Sequence, residues 1–161
     1  MLFLLGFILV SCSSPKILKT DVRDDIDLSG RWNDTDAEIA SNELFNNLLA
    51  SNWLKAYEGT DNLKTRIEVE AFGSNFKNGG ESLQQYFEKY LDTSLQFELI
   101  SKKSEKVPEF QLFGEIMAKE VIQDDEQNFI YYTVRVQLKN MNGEMVWDDS
   151  TQIKKYIKDR L

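Results

Sequence analysis

The chain has no histidine, one cysteine and two prolines in 161 residues. Without histidine it cannot build a Ser-His-Asp or Cys-His nucleophile, or an imidazole metal site. With Cys12 alone there is no disulfide framework and no thiolate metal cluster, so a hydrophobic core must hold any domain together. Long apolar runs are missing as well. The stretch Leu2 to Val10 covers nine residues, whereas a membrane-spanning helix needs about 20. Nor is there a basic block. Net charge is −8, and the densest positive group, Lys102, Lys103 and Lys106, is interrupted by Glu105. A nucleic-acid backbone demands clustered Lys and Arg, so a nucleic-acid partner is not expected and this group reads as a solvated loop. An apolar share of 42% with so little proline also excludes a disordered chain.

What is present begins with a processing signal. Leu2 to Val10 fits the apolar region of a signal peptide, about 7 to 15 residues long. No Lys or Arg precedes it. Leu9-Val10-Ser11-Cys12 then supplies a branched residue, a tolerated one, a small one and a cysteine, which is the lipobox pattern. Residues 1–11 are therefore expected to be a lipoprotein signal peptide, cleaved before Cys12, with Cys12 as the lipidation site. Several acyl chains on one residue give stable anchoring. The competing reading, a buried cysteine, finds nothing else in the first 25 residues to bury that run against. Ser13 after the cysteine is compatible with delivery to the outer membrane. Residues 12–27 read as the lipidated cysteine and a short polar tether. Ser13 to Asp27 spans at most about 50 Å fully extended. Residues 28–161 are long enough for one domain with a real core.

Within that domain the periodicities alternate between helix and strand. Thr35 and Glu38 form a capping-box pair, and a helix is expected to run from Thr35 to about Asn52. Ala37, Ala40, Ser41, Leu44, Phe45, Leu48 and Leu49 form its apolar face. Trp53, Leu54 and Tyr57 pack a following turn, and Glu58 to Asp61 is a loop. Arg66 to Phe72 alternates as a strand. Gly73 to Gly80 reads as a loop, and Glu81 to Asp92 as a helix that buries Leu83, Phe87, Tyr90 and Leu91. Leu95, Phe97 and Leu99 alternate in a second strand, and Ser101 to Pro108 is a charged loop. Phe110 to Val121 is a long strand with Phe110, Leu112, Gly114 and Ile116 on one face. After a turn at Asp124 to Asn128, Ile130, Tyr132, Val134, Val136 and Leu138 alternate against polar residues, as in a half-buried strand. Asn142-Gly143 is the dipeptide of a type I′ hairpin. Met145 to Ile153 returns as its partner, and Lys154 to Leu161 reads as a frayed basic end. The fold class expected is α/β, a mixed and mainly antiparallel sheet flanked by helices.

One run stands apart from these patterns. Leu28-Ser-Gly-Arg-Trp-Asn-Asp-Thr-Asp-Ala37 sets an Arg-Trp pair and an acidic cluster just ahead of a helix. It resembles the signature of LpoB-type outer-membrane lipoproteins, the activators of class A penicillin-binding proteins. The closing pattern Tyr131-Tyr132-Thr-Val-Arg-Val-Gln-Leu138, then Gly143, Val146-Trp147 and Ile153-Lys154, is similar in order. The resemblance implies a fold like the N-terminal domain of TolB and an outer-membrane lipoprotein facing the periplasm. It also implies a protein that docks on and stimulates a peptidoglycan synthase, a class A penicillin-binding protein. Two departures stand out. Gly73 to Gly80 replaces the family's Asn-x-Thr turn and acidic-His pair, and the tether is far shorter than the long Pro-rich one of the best-known members. The second departure favours an alternative, a structural or assembly lipoprotein of another envelope complex.

Each candidate residue has two readings. Arg31 and Trp32 are types enriched at interface hot spots. Equally, Trp32 can cap the core where the tether arrives while Arg31 bonds Asp34 or Asp36. Asn33, Asp34 and Asp36 complete the candidate partner-binding segment. As cation ligands they lack a calcium loop's spacing, and helix capping explains them. Asp148 and Asp149 suggest a carboxylate pair, but adjacent strand residues point to opposite faces. Gly79-Gly80 lacks the Lys and Ser/Thr of a phosphate loop and reads as the turn into a helix. No catalytic residue, metal ligand, cofactor or small-molecule substrate is expected, and the chain is read as a binding protein, not an enzyme.

Overall fold

The computed structural model describes residues 30–57, 64–122 and 128–157. The signal peptide, Cys12 and the tether lie outside the described residues, as do the loop at Glu58 to Asp61, most of the turn before Asn128 and the tail from Lys158.

Among the described residues, three helices lie on one face of a mixed sheet. Helix α1 spans Asp34–Ala50, α2 Asn52–Tyr57 and α3 Gly79–Thr93. Strands β1 (Thr65–Val69), β3 (Phe97–Ile100), β4 (Phe110–Ile122), β5 (Asn128–Asn140) and β6 (Met145–Ile157) take the order β3-β1-β4-β5-β6. The short β2 (Gly73–Ser74) pairs with β4 off that path. β1 runs parallel to both β3 and β4, while the long β4, β5 and β6 form an antiparallel meander that supplies most of the paired residues. The parallel part arises because α3 carries the chain from β1 back to the same end of the sheet, as a parallel pairing requires. The fold class read from the sequence holds.

The core is the sum of the alternating faces. Ile67, Leu112, Ile116, Val134, Val136 and Leu138 point from the sheet toward Ala40, Leu44, Leu48, Leu83, Phe87 and Leu91 of the helices, all fully buried. Phe45 sits between Tyr90 and Phe97, with ring centroids 5.5 and 6.1 Å away. Gly114 leaves a notch for Phe72. A Cβ on Gly114 would lie 2.2 Å from Cδ2 of that ring, so no larger residue fits beside it.

Local chemistry moves several boundaries. The capping box of α1 is Asn33 with Asp36, not Thr35 with Glu38. Asn33 Oδ1 accepts from the Asp36 amide and Asp36 Oδ2 accepts from the Asn33 amide, both at 3.0 Å. β1 ends at Val69, so Phe72, expected at the end of that strand, lies outside it. Its amide donates to Gln84 Oε1 at 3.3 Å and its ring fills the Gly114 notch. Leu95 is 83% exposed and not part of a strand face. Ser94 Oγ accepts from the Gln96 amide at 3.1 Å, and the turn this closes pushes Leu95 outward. α3 begins at Gly79, two residues early, because buried Gly79 and Gly80 admit close contact with Phe76 and the Phe72 carbonyl. The β5–β6 hairpin is not type I′. Gly143 alone has positive φ, at +84°, and its amide donates to the Asn140 carbonyl at 2.9 Å. That is a type I turn closed by glycine, with a three-residue loop. Finally, β6 continues four residues past Ile153, so Lys154 to Ile157 are strand and not a frayed end.

Candidate functional site

The segment that carries the family resemblance is bolted to the domain from two sides. Gly30 adopts φ +68°, a conformation open to glycine, and a Cβ there would press on Ile157 Cγ1 at 3.0 Å. The buried Tyr132 hydroxyl, on β5, donates to the Gly30 carbonyl at 2.9 Å and accepts from the Trp32 amide at 3.1 Å. One phenol thus holds two backbone groups of the incoming chain, two residues apart. Trp32 Nε1 donates to Ser82 Oγ on α3 at 3.2 Å, and the indole packs on the Tyr132 ring at 5.3 Å and on Phe76 at 6.4 Å.

The second bolt is ionic. Lys155, on β6, donates to the Arg31 carbonyl and to Asp36 Oδ2, each at 2.6 Å. Both partners of this ion pair keep only 11% of their side-chain surface exposed. A pair that dry is maintained by its additional bonds, because removing either member strands the other. Here Asp36 also accepts from the Asn33 amide, and Lys155 also reaches a carbonyl. Asp36 therefore couples α1, β6 and the arriving chain.

These contacts sort the five candidate residues. Trp32, Asn33 and Asp36 face inward or cap α1 and set the shape of the segment. Arg31 and Asp34 are exposed side chains on that rigid frame. Of the two readings of Trp32, packing where the chain arrives is the one its geometry fills. The pairing of Asp36 is with Lys155.

Three participants escaped the sequence reading. Tyr132 was legible as a core residue but not as a clamp, because its hydroxyl meets residues about a hundred positions away. Ser82 gave no signal. Lys155 was hidden by the assignment of 154–161 to a frayed end, although the alternation of Gln152, Ile153, Lys154, Lys155, Tyr156 and Ile157 continues the strand.

Two further charged clusters are braces. At the opposite end of the sheet Glu109 accepts from the Tyr57 hydroxyl at 2.8 Å and from the Arg66 amide at 3.0 Å. Burial pushes its carboxyl up, but the Arg66 amide bond, the Tyr57 bond and the Arg66 charge together bring it below the ordinary range. Burial and the same hydrogen bond push the Tyr57 phenol up, so both groups stay in their neutral-pH forms. On the sheet face turned away from the helices, Arg135 grips Asp148 with two bonds, at 2.8 and 2.5 Å. Asp149 points the other way, to Asn47 at 2.7 Å. The two aspartates are on opposite faces and do not form a working pair.

Among the described residues no helix is long and apolar enough to cross a membrane. No family model matches the chain, and no curated protein matches its sequence. The fold does have solved counterparts. It is similar to the LpoB C-terminal domain from Salmonella enterica, with a TM-score of 0.50 and 12% identity over 73% of this chain and 98% of that one. Lipoprotein GNA1162 from Neisseria meningitidis is similar at TM-score 0.43 and 12% identity, over 57% of this chain and 83% of that one. PelC from Paraburkholderia phytofirmans, solved as a dodecamer, is similar at TM-score 0.41 and 15% identity, over 60% and 80%. At such identities likeness speaks of fold alone. The chain has an LpoB-like fold.

Proposed function

We propose that this chain is a lipid-anchored envelope protein that binds and activates a peptidoglycan synthase of the class A penicillin-binding protein type. What supports the reading is a coincidence of two independent features. The fold is like nearly the whole LpoB C-terminal domain, and Leu28 to Ala37 resembles the signature of LpoB-type lipoproteins. In this reading Cys12 carries the lipid, the protein faces the periplasm from the outer membrane, and no chemistry is performed on a substrate. Arg31 and Asp34 offer the contact, while Trp32, Asn33 and Asp36 keep the backbone beneath them rigid. Interfaces reward such preorganisation, since little ordering remains to be done on docking. Activation follows if the protein binds the active conformer of the synthase more tightly than the inactive one.

The test is reconstitution. The lipidated chain is mixed with the class A synthase of the same organism, and glycan polymerisation is followed with and without it. A faster rate, reduced by Arg31→Ala with Asp34→Ala at unchanged thermal stability, is expected. An unchanged rate at saturating protein refutes activation.

One observation favours a second reading, a structural or assembly lipoprotein in another envelope complex. The tether from Ser13 to Asp27 extends at most about 50 Å, a short reach toward an enzyme in the opposite membrane. Co-purification of assembly components without a synthase supports that reading.

A further inference from the structure

The outer face of the sheet is not uniform. At the end of the meander where Gly30 arrives, the residues turned away from the helices are Met117, Lys119 and Val121 on β4, Phe129, Tyr131 and Thr133 on β5, and Gln152, Lys154 and Tyr156 on β6. None is a carboxylate, although the chain carries 27 Asp and Glu. Lys154 Nζ lies 3.8 Å above the Phe129 ring centroid and within 5.6 Å of those of Tyr131 and Tyr156. Tyr156 packs at 4.7 Å on Phe129 with its ring tilted by 59°, yet remains 59% exposed, and Met117 is 46% exposed. Tyrosine and lysine side chains combine an apolar body with a polar tip, which suits them to the boundary between lipid headgroups and acyl chains.

Position argues for the same occupant. Gly30 contacts the last residues of β6, next to Tyr156 and Ile157. Only seventeen residues separate it from Cys12. With a lipid on Cys12, this end of the domain lies no farther than about 60 Å from the bilayer even on a fully extended chain. Anchoring turns a weak surface contact into an intramolecular event, so a modest patch suffices. The adjoining sequence Asp124-Asp125-Glu126 is acidic. Attraction of the whole face to anionic lipid is therefore opposed, and insertion of aromatic and lysine side chains at the interface is the dominant contribution.

The geometry points to a membrane-docking face formed by Met117, Lys119, Tyr131, Lys154 and Tyr156, with Phe129 buried beneath Lys154 and Tyr156 as their support, which seats the domain on the bilayer that holds its lipid. This rests on the lipid anchoring proposed above. The docking fixes which way the Arg31–Asp36 segment is presented and leaves the opposite end of the sheet, at Met141 in the β5–β6 hairpin, pointing away from the membrane.

The experiment places an environment-sensitive fluorophore at Met117→Cys or Met141→Cys of the lipidated full chain. These positions have matched exposure, 46% and 49%. Vesicles of phosphatidylethanolamine and phosphatidylglycerol carry a fraction of headgroup-region spin-labelled lipid. Flotation with the vesicles first reports anchoring, and its failure refutes the lipid reading alone. In the floated protein, quenching at 117 several-fold stronger than at 141 is expected, and Lys154→Glu with Tyr156→Ser abolishes the difference while flotation persists. Equal quenching at both positions overturns the docking face. So does shielding at 117 that appears only at high surface density, which would make the occupant a second copy of the chain.

Discussion

Replacing Tyr132 with phenylalanine removes one oxygen and leaves the ring packing in place. That oxygen donates to the Gly30 carbonyl and accepts from the Trp32 amide, in a site where the phenol is buried. Each lost hydrogen bond is worth about 1 kcal/mol net, and the half-buried Trp32 amide left without its partner adds part of the about 1–3 kcal/mol that a fully buried orphan costs. The expected destabilisation is about 2–3 kcal/mol. For a domain of this size that corresponds to a fall in Tm of roughly 10 °C. Equilibrium urea unfolding measures the first quantity, and amide hydrogen exchange at Trp32 measures the second consequence, local release of the arriving chain. The control is Tyr131→Phe, one residue away on the opposite face, expected to change stability by less than about 0.5 kcal/mol. If Tyr132→Phe behaves like that control and Trp32 exchange is unaltered, the clamp is not what holds the segment.

Lys155→Met should destabilise by about 3–5 kcal/mol, because it leaves the Asp36 carboxylate nearly buried and unpaired; chemical denaturation checks this, and a loss under about 1 kcal/mol contradicts the pairing. Gly114→Ala drives a methyl into the Phe72 ring and should cost about 1–3 kcal/mol. Phe72→Leu in the same chain should recover part of that loss in a double-mutant cycle, whereas strict additivity would mean the two sites are independent. The Arg135 bond to Asp148 holds that carboxyl below its ordinary value, and the bonds on Glu109 do the same against burial. A depressed folded value means stability present above the unfolded carboxylate range and lost as pH falls through the folded one. Stability measured against pH should therefore drop in acid, and less steeply in Asp148→Asn. An equally steep drop in that variant removes Asp148 from the explanation.

Much of the architecture was legible because periodicity reports burial directly. The alternation from Ile130 to Leu138 is one face of a sheet; Tyr132, Val134, Val136 and Leu138 are in the core and Ile130 packs against it. Tyr132 belongs to that face and is buried, while its neighbour Tyr131 is on the outer face. The boundaries were less legible because distant groups set them. The start of α1 moved from Thr35 to Asp34, with Asn33 as the cap, where Tyr132 and Lys155 hold the preceding backbone extended. Leu95 looked like a strand residue by its spacing, but a serine turn placed it in solvent. The candidate segment was visible as residue types, yet its division into inward-facing Trp32 and Asp36 and exposed Arg31 and Asp34 needed the tertiary partners. Lys155 shows the general difficulty: a lysine in a polar stretch reads as solvated until the acid it faces, 119 residues earlier, is known.

The most direct test of the proposed role is a crosslinking capture of the lipidated protein from native membranes, with the partners identified by mass spectrometry. The role as activator predicts recovery of a class A penicillin-binding protein, diminished by Arg31→Ala with Asp34→Ala while thermal unfolding is unchanged. Recovery of outer-membrane assembly components with no synthase among them would contradict it and assign the fold to a different task.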